Sequence, residues 1–300
     1  MLKIAFHEIY KYQLPDGHRF PMMKYELLPE QLLYEGSVSE DQFFKPDMLS
    51  DKDILLTHDA HYLAKLNGQA LTDKEIRKIG FPMSPTLVER GKHIANGTYM
   101  CANYAIKYGV SMNIAGGTHH SFAERGEGFC LFNDIAIAAN LLLSQNLVSK
   151  ILIVDLDVHQ GNGTAKIFEN ELRVYTFSMH GANNYPVRKE TSDLDIGLPD
   201  KAEDALYLTT LRNTLLRLMD EVQPDFIFYL SGVDIIEQDK LGRLSVTKEG
   251  CKQRDKYCFQ TFKSYGIPVA VSMGGGYAHR VADIVDCHAN TFRMAQEIYF

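Results

Sequence analysis

The chain has 300 residues, 45% hydrophobic and 23% charged, which suits one large soluble α/β domain over residues 1–300, and no linker, low-complexity tract or repeat divides it. Its 31 basic and 38 acidic residues leave a net charge of −7, which argues against a nucleic-acid-coating surface, and no apolar run approaches the roughly 20 residues of a membrane span. The five cysteines (Cys101, Cys130, Cys251, Cys258, Cys287) form no C-x-x-C pair and the amino terminus lacks an apolar leader, so neither disulfides nor a thiolate zinc site is expected, and the expected compartment is the cytoplasm.

Leu2–Phe6 reads as a first strand, followed by a long polar-aromatic loop from Tyr10 to Lys24. Thr57-His58-Asp59-Ala60-His61-Tyr62 gathers His and Asp, but it reads better as the cap of a helix running to Leu66 than as a metal site. Ser84 as N-cap, Pro85 behind it and Gly109 beyond the end bracket a helix that is periodic through Ala105. A short strand, Met112–Ala115, ends in Gly116-Gly117-Thr118-His119-His120, and Asn133 caps an apolar helix to Gln145. The aliphatic run from Ile151 to Val154 is a buried strand that stops at Gly161-Asn162-Gly163, with a helix expected over Thr164–Asn170. Strand Arg173–Ser178, helix Glu203–Val222, strand Asp225–Leu230, helix Thr247–Tyr265, strand Pro268–Met273 and a last helix from Ala278 follow. This alternation predicts a doubly wound α/β fold, a mostly parallel sheet with helices on both faces.

Alternate residues of an extended chain point the same way, so Asp155, Asp157 and His159 project together at the carboxyl end of their strand. That edge is where open parallel sheets bind ligands. Alone, the D-x-D-x-H run fits a metal site, a phosphate-binding turn before the next helix, or a structural polar network. His119-His120, Ser178, Asp234 and Gly274-Gly275-Gly276-Tyr277 also follow predicted strands, however, and would gather at the same edge. Asp157, His159 and Asp234 then supply three ligands with no obvious fourth, the open coordination that separates catalytic from structural zinc. His119 and His120 would handle protons, with Asp155 and Asn162 orienting their rings. Gly275 and Gly276 allow close approach of backbone to a substrate, and the Tyr277 phenol suits a developing oxyanion. Phe129 beside Gly128, and Tyr185, are candidate walls for an aliphatic chain.

Five runs in fixed order carry a resemblance over essentially the whole chain: Gly116-Gly-Thr-His-His120, Gly126-Glu-Gly-Phe-Cys-Leu-Phe-Asn-Asp134, Asp155-Leu-Asp-Val-His-Gln-Gly-Asn-Gly163, Ser231-Gly-Val-Asp234 and Gly274-Gly-Gly-Tyr277. The sequence resembles the zinc-dependent histone deacetylases and their prokaryotic homologues, of the arginase-deacetylase fold. The run from Asp234 to Ser245, with Arg254-Asp255, looks most like the class IV branch. The resemblance implies that Asp157, His159 and Asp234 bind one zinc, that His119 and His120 move protons with Asp155 and Asn162 behind them, and that Tyr277 polarises the acyl carbonyl. It also implies that Gly128, Phe129 and Tyr185 line an acyl-lysine tunnel, and that a structural potassium ion sits among Asp155, Asp157, His159, Ser178 and Met179. Two departures stand out: Asn162 occupies a position where class I members carry Asp, and the loop Phe81-Pro-Met-Ser-Pro85 has no acid to anchor a substrate backbone.

The implied activity is zinc-dependent hydrolysis of N-acyl-lysine in a protein or peptide, with acetylpolyamines, other small acylated amines and long-chain fatty-acyl-lysine as alternative substrates. A dimanganese ureohydrolase on the same fold is disfavoured, because Asp234 is followed by Ile235-Ile236 where a bridging carboxylate is needed. A catalytically dead acyl-lysine binder is disfavoured by the complete set of site residues.

Overall fold

Strands such as Ile151-Leu-Ile-Val154 and Phe226-Ile-Phe-Tyr-Leu230 have no polar face, so both of their sides must be covered, and a parallel sheet between helix layers does this. The computed structural model, which describes residues 1–300, has that arrangement. Eight strands, β1 (Lys3–Ala5), β2 (Phe43–Phe44), β3 (Val110–Asn113), β4 (Ile151–Asp155), β5 (Val174–Gly181), β6 (Leu194–Leu198), β7 (Phe226–Leu230) and β8 (Val269–Ser272), lie in the order β2-β1-β3-β8-β7-β4-β5-β6. Every pairing is parallel. The sheet expected to be mostly parallel is therefore wholly so.

The helices are α1 (Lys24–Tyr34), α2 (Asp51–Ile54), α3 (Ala60–Asn67), α4 (Asp73–Ile79), α5 (Pro85–Tyr108), α6 (Asp134–Ser144), α7 (Asn162–Phe168), α8 (Asp204–Val222), α9 (Lys248–Ser264) and α10 (Val281–Tyr299). Strand periodicity divides the core. Ile151, Ile153, Phe226 and Phe228 pack with small residues of α5 and α6, such as Ala102, Ala105, Ala136 and Ala139. Leu152, Val154, Ile227 and Tyr229 face the other way, among residues such as Leu211 of α8, Phe259 of α9 and Phe292 of α10.

The main expected elements are present, with boundaries moved by tertiary contacts. α5 starts at Pro85 behind the Ser84 cap and ends at Gly109. β5 runs past Ser178 to Gly181 because Phe177 to Gly181 pair with β6, a short edge strand that its composition does not announce. α7 begins at Asn162 rather than Thr164, and α10 begins at Val281 rather than Ala278, which is instead bridged to Asp239. The loop expected through Lys24 yields there to α1, whose pattern is blurred by an internal Pro29. All five cysteines are buried and unpaired. No helix is long and apolar enough to cross a membrane.

The central strands β3, β8, β7 and β4 are adjacent, although β4 follows β3 in the chain and β7 and β8 insert between them. Reversals of this kind leave a crevice at the carboxyl ends of the strands. One fully buried cation braces it: Arg254 of α9 donates from Nη1 to the carbonyl of Gly232 at 2.5 Å and, more weakly, to that of Leu156 at 3.4 Å. Its Nε donates to Asp255 Oδ1 at 2.9 Å, and Asp255 also accepts from the hydroxyls of Tyr229 and Thr291. Replacing one member of such a network strands the rest without solvent. Arg254→Leu is therefore expected to lower unfolding free energy by about 3–5 kcal/mol, read from urea unfolding. A loss below about 1 kcal/mol, the worth of an exposed pair, would show that the guanidinium does not brace these turns.

Candidate active site

The chain leaves β4 at Asp155 and turns over the crevice, which carries Asp157 and His159 across to the turn that follows β7, where Asp234 lies. One ligand atom from each of these three buried residues lies within 4.8 Å of the others. Asp234 Oδ1 accepts the amide of Val158 at 2.9 Å and so ties the two turns together. Asp157 Oδ2 accepts the amide of Gly275 at 2.8 Å from the turn after β8. Asp234 Oδ2, by contrast, is buried without a hydrogen bond, although the His159 ring nitrogen Nδ1 stands 3.2 Å away in poor alignment.

Burial and the neighbouring Asp157 push the Asp234 carboxyl up to about 7. Two crowded carboxylates with an unfilled acceptor are short of positive charge, and the two oxygens plus an imidazole suit a divalent cation. Backbone packing keeps the pocket small: a Cβ on Gly275 would stand 2.0 Å from Asp234 Oδ2 and 2.7 Å from Asp157 Oδ2. Only glycine lets the chain lie against both acids.

Beside this cluster lie His119 and His120, their ring centroids 4.1 Å apart. Their Nδ1 atoms are engaged separately, His119 with Asp155 Oδ2 at 2.6 Å and His120 with Asn162 Oδ1 at 2.7 Å. The Asn162 amide is itself oriented, because its Nδ2 donates to Glu127 Oε1 at 2.8 Å. Its oxygen must then face His120, whose Nδ1 carries the proton and whose Nε2 is left as a lone pair. The network thereby assigns the tautomer.

The two rings differ in charge preference. Burial alone would lower the pKa of His119, but the Asp155 carboxylate outweighs it and holds the value above the ordinary one. Burial, with His119 and His159 nearby, drives His120 well below its ordinary value. The first ring is suited to hold a proton and the second to accept one.

Tyr277 is nearly buried, edge-on to Phe20 at 5.9 Å and tilted against Phe129 at 6.1 Å between centroids. Burial and the two nearby acids raise its pKa well above the ordinary one, so the phenol stays a donor. Phe129 adopts φ 70°, held by its amide bonding to Ile79 and that of Gly128 bonding to Lys78. Tyr185 stands edge-on to His120 at 4.8 Å. These rings form the throat of a mouth cavity of about 300 Å³. Gly275 lines a narrower hollow behind it, whereas Gly276 packs against Val233 and Ile284. Ser178 is the register partner of Asp155, and with Met179 it is buried in β5, its hydroxyl 3.0 Å from His180 Nδ1.

The cluster at His58 and His61 is a cap, as expected: Asp59 accepts the amides of His61 and Tyr62, and buried His58 bonds to Ala123 and Asn133. Three nearby residues escape a reading of sequence. Glu127 and Asp239 stand only inside runs that carry the resemblance, and Lys24 has no signal of its own. Lys24 is buried with Nζ donating to Gly274 at 3.2 Å, and burial lowers its pKa to about 8.

Comparison with known proteins follows the same residues. A profile described as the histone deacetylase domain matches residues 18–292. An uncharacterised protein of a Picosynechococcus strain is 41% identical over 296 residues, 99% of each chain. Histone deacetylase 2 of Arabidopsis thaliana is 29% identical over 279 residues, 89% of this chain and 72% of that one. A crystal structure of an HDAC homologue complexed with SAHA matches with a TM-score of 0.85 at 21% identity, covering 99% of this chain and 84% of that one, a likeness of fold. Since the domain profile runs from the loop before α1 into α10 and so spans every turn of this crevice, the chain belongs to the histone deacetylase family.

Proposed function

We propose that this deacetylase-family amidohydrolase removes an acyl group from the ε-amine of lysine in a protein or peptide, with one zinc ion held by Asp157, His159 and Asp234. The observation that carries the reading is the pair of buried histidines with unlike partners beside a ligand cluster whose Asp234 oxygen is unsatisfied. A divalent ion there supplies Lewis-acid polarisation of the amide carbonyl and acidifies attacking water.

The chain's own residues do the rest. Phe129 and Tyr185 flank the aliphatic stem of the substrate and exclude water from it. His120, kept neutral by burial and by the histidines beside it, with its Nδ1 proton held by Asn162, takes the proton of the attacking water at Nε2. His119, whose proton Asp155 supports, gives one to the departing amine. Tyr277 donates to the carbonyl oxygen as charge gathers there. In the same reading residues 1–300 act as one catalytic domain, and a monovalent cation held by carbonyls among Asp155, Asp157, His159, Ser178 and Met179 stiffens the β4 turn. Asp155 and Ser178 are register partners, which suits that role.

The mouth bears on the substrate. Its rim carries Arg19, Lys78 and Arg243 and no carboxylate. Arg243 is shared with Asp200 at 3.2 Å, and Arg19 lies over the Phe129 ring. A polycationic amine would meet like charges there, and charge complementarity governs encounter. A peptide is favoured over an acetylpolyamine.

The direct test is hydrolysis of acetyl-, octanoyl- and myristoyl-lysine peptides and of acetylpolyamines, with bound metal quantified. Turnover of the peptides should exceed that of the polyamines and require about one divalent ion per chain, and Asp234→Ala should lose both metal and turnover. Full zinc content in a folded Asp234→Ala protein would show that the ligand set is wrong. Tyr277→Phe keeps the ring and deletes only the donor, so kcat should fall about 10²–10³-fold with metal content unchanged. A fall smaller than about fivefold, well under the worth of one oxyanion donor, removes Tyr277 from the chemistry.

Acid–base roles are tested by charge. Replacing Asn162 by Asp in a Glu127→Gln background, which avoids opposing two carboxylates, puts an anion on the Nδ1 proton of His120. That raises the pKa of a base that must be neutral to act, so the acidic limb of the kcat profile should move to higher pH by about one unit or more. An unmoved limb would show that His120 is not the base.

A further inference from the structure

Tyr277 stands on a segment that its own sequence leaves loose. Gly274, Gly275 and Gly276 precede it, with φ 72° at Gly274 and 157° at Gly276. Three residues without side chains do little to restrict where the next Cα stands. Phe20 and Phe129 limit the swing of the ring but do not fix its backbone.

The backbone is fixed by Asp239. Its Oδ2 accepts the Tyr277 amide at 2.5 Å, and its Oδ1 accepts the amides of Leu241 and Gly242 at 2.8 and 2.9 Å. A carboxylate that accepts three backbone N–H groups is a stiff link, since charge-assisted bonds are the stronger ones. Around it, the Lys240 amide reaches the Tyr277 carbonyl at 3.4 Å, and Asp239 and Ala278 form an antiparallel bridge. Asp239 lies in the loop that begins at Asp234. That loop folds back so tightly that a Cβ on Gly242 would come within 2.0 Å of the Asp234 carbonyl oxygen. The loop carrying a ligand carboxylate and the loop carrying the phenol are thus one unit, joined at Asp239.

We propose that Asp239 is a positioning residue for Tyr277, setting the phenol at a fixed distance from the Asp157, His159 and Asp234 cluster. This rests on the reading of Tyr277 as oxyanion donor. Asp239 touches no substrate, and it acts by keeping the donor aimed before the carbonyl charge develops. Misplacement of a catalytic group by about 1 Å from a remote change can cost about 10²-fold in rate.

The test is Asp239→Asn made in the wild-type and Tyr277→Phe backgrounds. Both carboxylate oxygens accept N–H groups, so the isosteric amide must set its NH₂ against one of them. In the wild-type background kcat should fall about 10–100-fold with KM nearly unchanged. In the Tyr277→Phe background the further fall should be under about twofold, because the group being aimed is already gone. A second readout does not pass through turnover: amide hydrogen exchange over residues 273–280 should quicken in both backgrounds while exchange in β4 and β7 stays as it was.

Equal losses of kcat in both backgrounds would mean that Asp239 only holds the fold, and unchanged exchange at 273–280 would mean that it is no clamp. Either result overturns the proposal. If Tyr277→Phe alone retains full activity, the oxyanion reading falls and the positioning role with it, whereas quickened exchange on adding Asp239→Asn still identifies the clamp. Asp239→Glu keeps the charge but shifts the carboxylate by one methylene. It serves if the Asn variant does not fold, and the same pattern is expected of it.

Discussion

The Arg254 guanidinium is the constraint on which the rest of the crevice depends. It is fully buried, and desolvating a cation costs several kcal/mol unless its hydrogen bonds are replaced. They are replaced by Asp255 and by carbonyls from the two turns that carry Asp157, His159 and Asp234. A backbone carbonyl at a strand end has no ladder partner, so a cation placed there satisfies the turn and sets its position. Breaking the contact exposes neither side to water. The two turns therefore move together or not at all.

On that base the crevice collects groups that repel. Asp157 and Asp234 are both buried, and burial together with Asp157 pushes the pKa of the Asp234 carboxyl up to about 7. The protein holds them close through backbone amides: Val158 donates to Asp234 and Gly275 to Asp157. Each bond joins one strand-end turn to another, so three turns meet at two carboxylates. The glycines follow from this closeness, since a Cβ at Gly275 would overlap both acids. A site of this kind stores repulsion that a divalent ion would relieve, and an ion bound there would couple its affinity to the folding of the turns.

The histidine pair shows how two identical side chains come to differ. Asp155 and Asn162 offer the same atom type to the same ring nitrogen, but only one of them carries charge. Glu127 lies one bond further out and holds the Asn162 amide in the orientation that a neutral His120 needs. An amide rather than an acid at position 162 does not loosen the ring, and it leaves the His120 imidazole at a lower pKa than a carboxylate partner would. The mouth adds a second bias through its cationic rim on a chain whose net charge is −7.

Much of this was legible in the chain itself. Unbroken aliphatic runs alternating with capped amphipathic segments determine a parallel α/β sheet, because no other arrangement covers both faces of such strands. The Asp155 to His159 run and the motifs toward the ends of four other strands had to meet at one edge, but the period-two alternation expected to carry Asp157 and His159 there stops with β4 at Asp155, and a turn delivers them instead. The weak local signals were lost: α1 hides behind Pro29 and β6 is a short edge strand, so neither carries the periodicity that marks an element. What only the tertiary structure decided are the contacts between turns far apart in sequence. Asp239 reaches Tyr277, Glu127 reaches Asn162, and Lys24 lies under Gly274. Sequence spacing determines which residues share a face of one element. Which loop carbonyl or amide a side chain meets depends on how eight strands are ordered, and strand order is a property of the packed sheet.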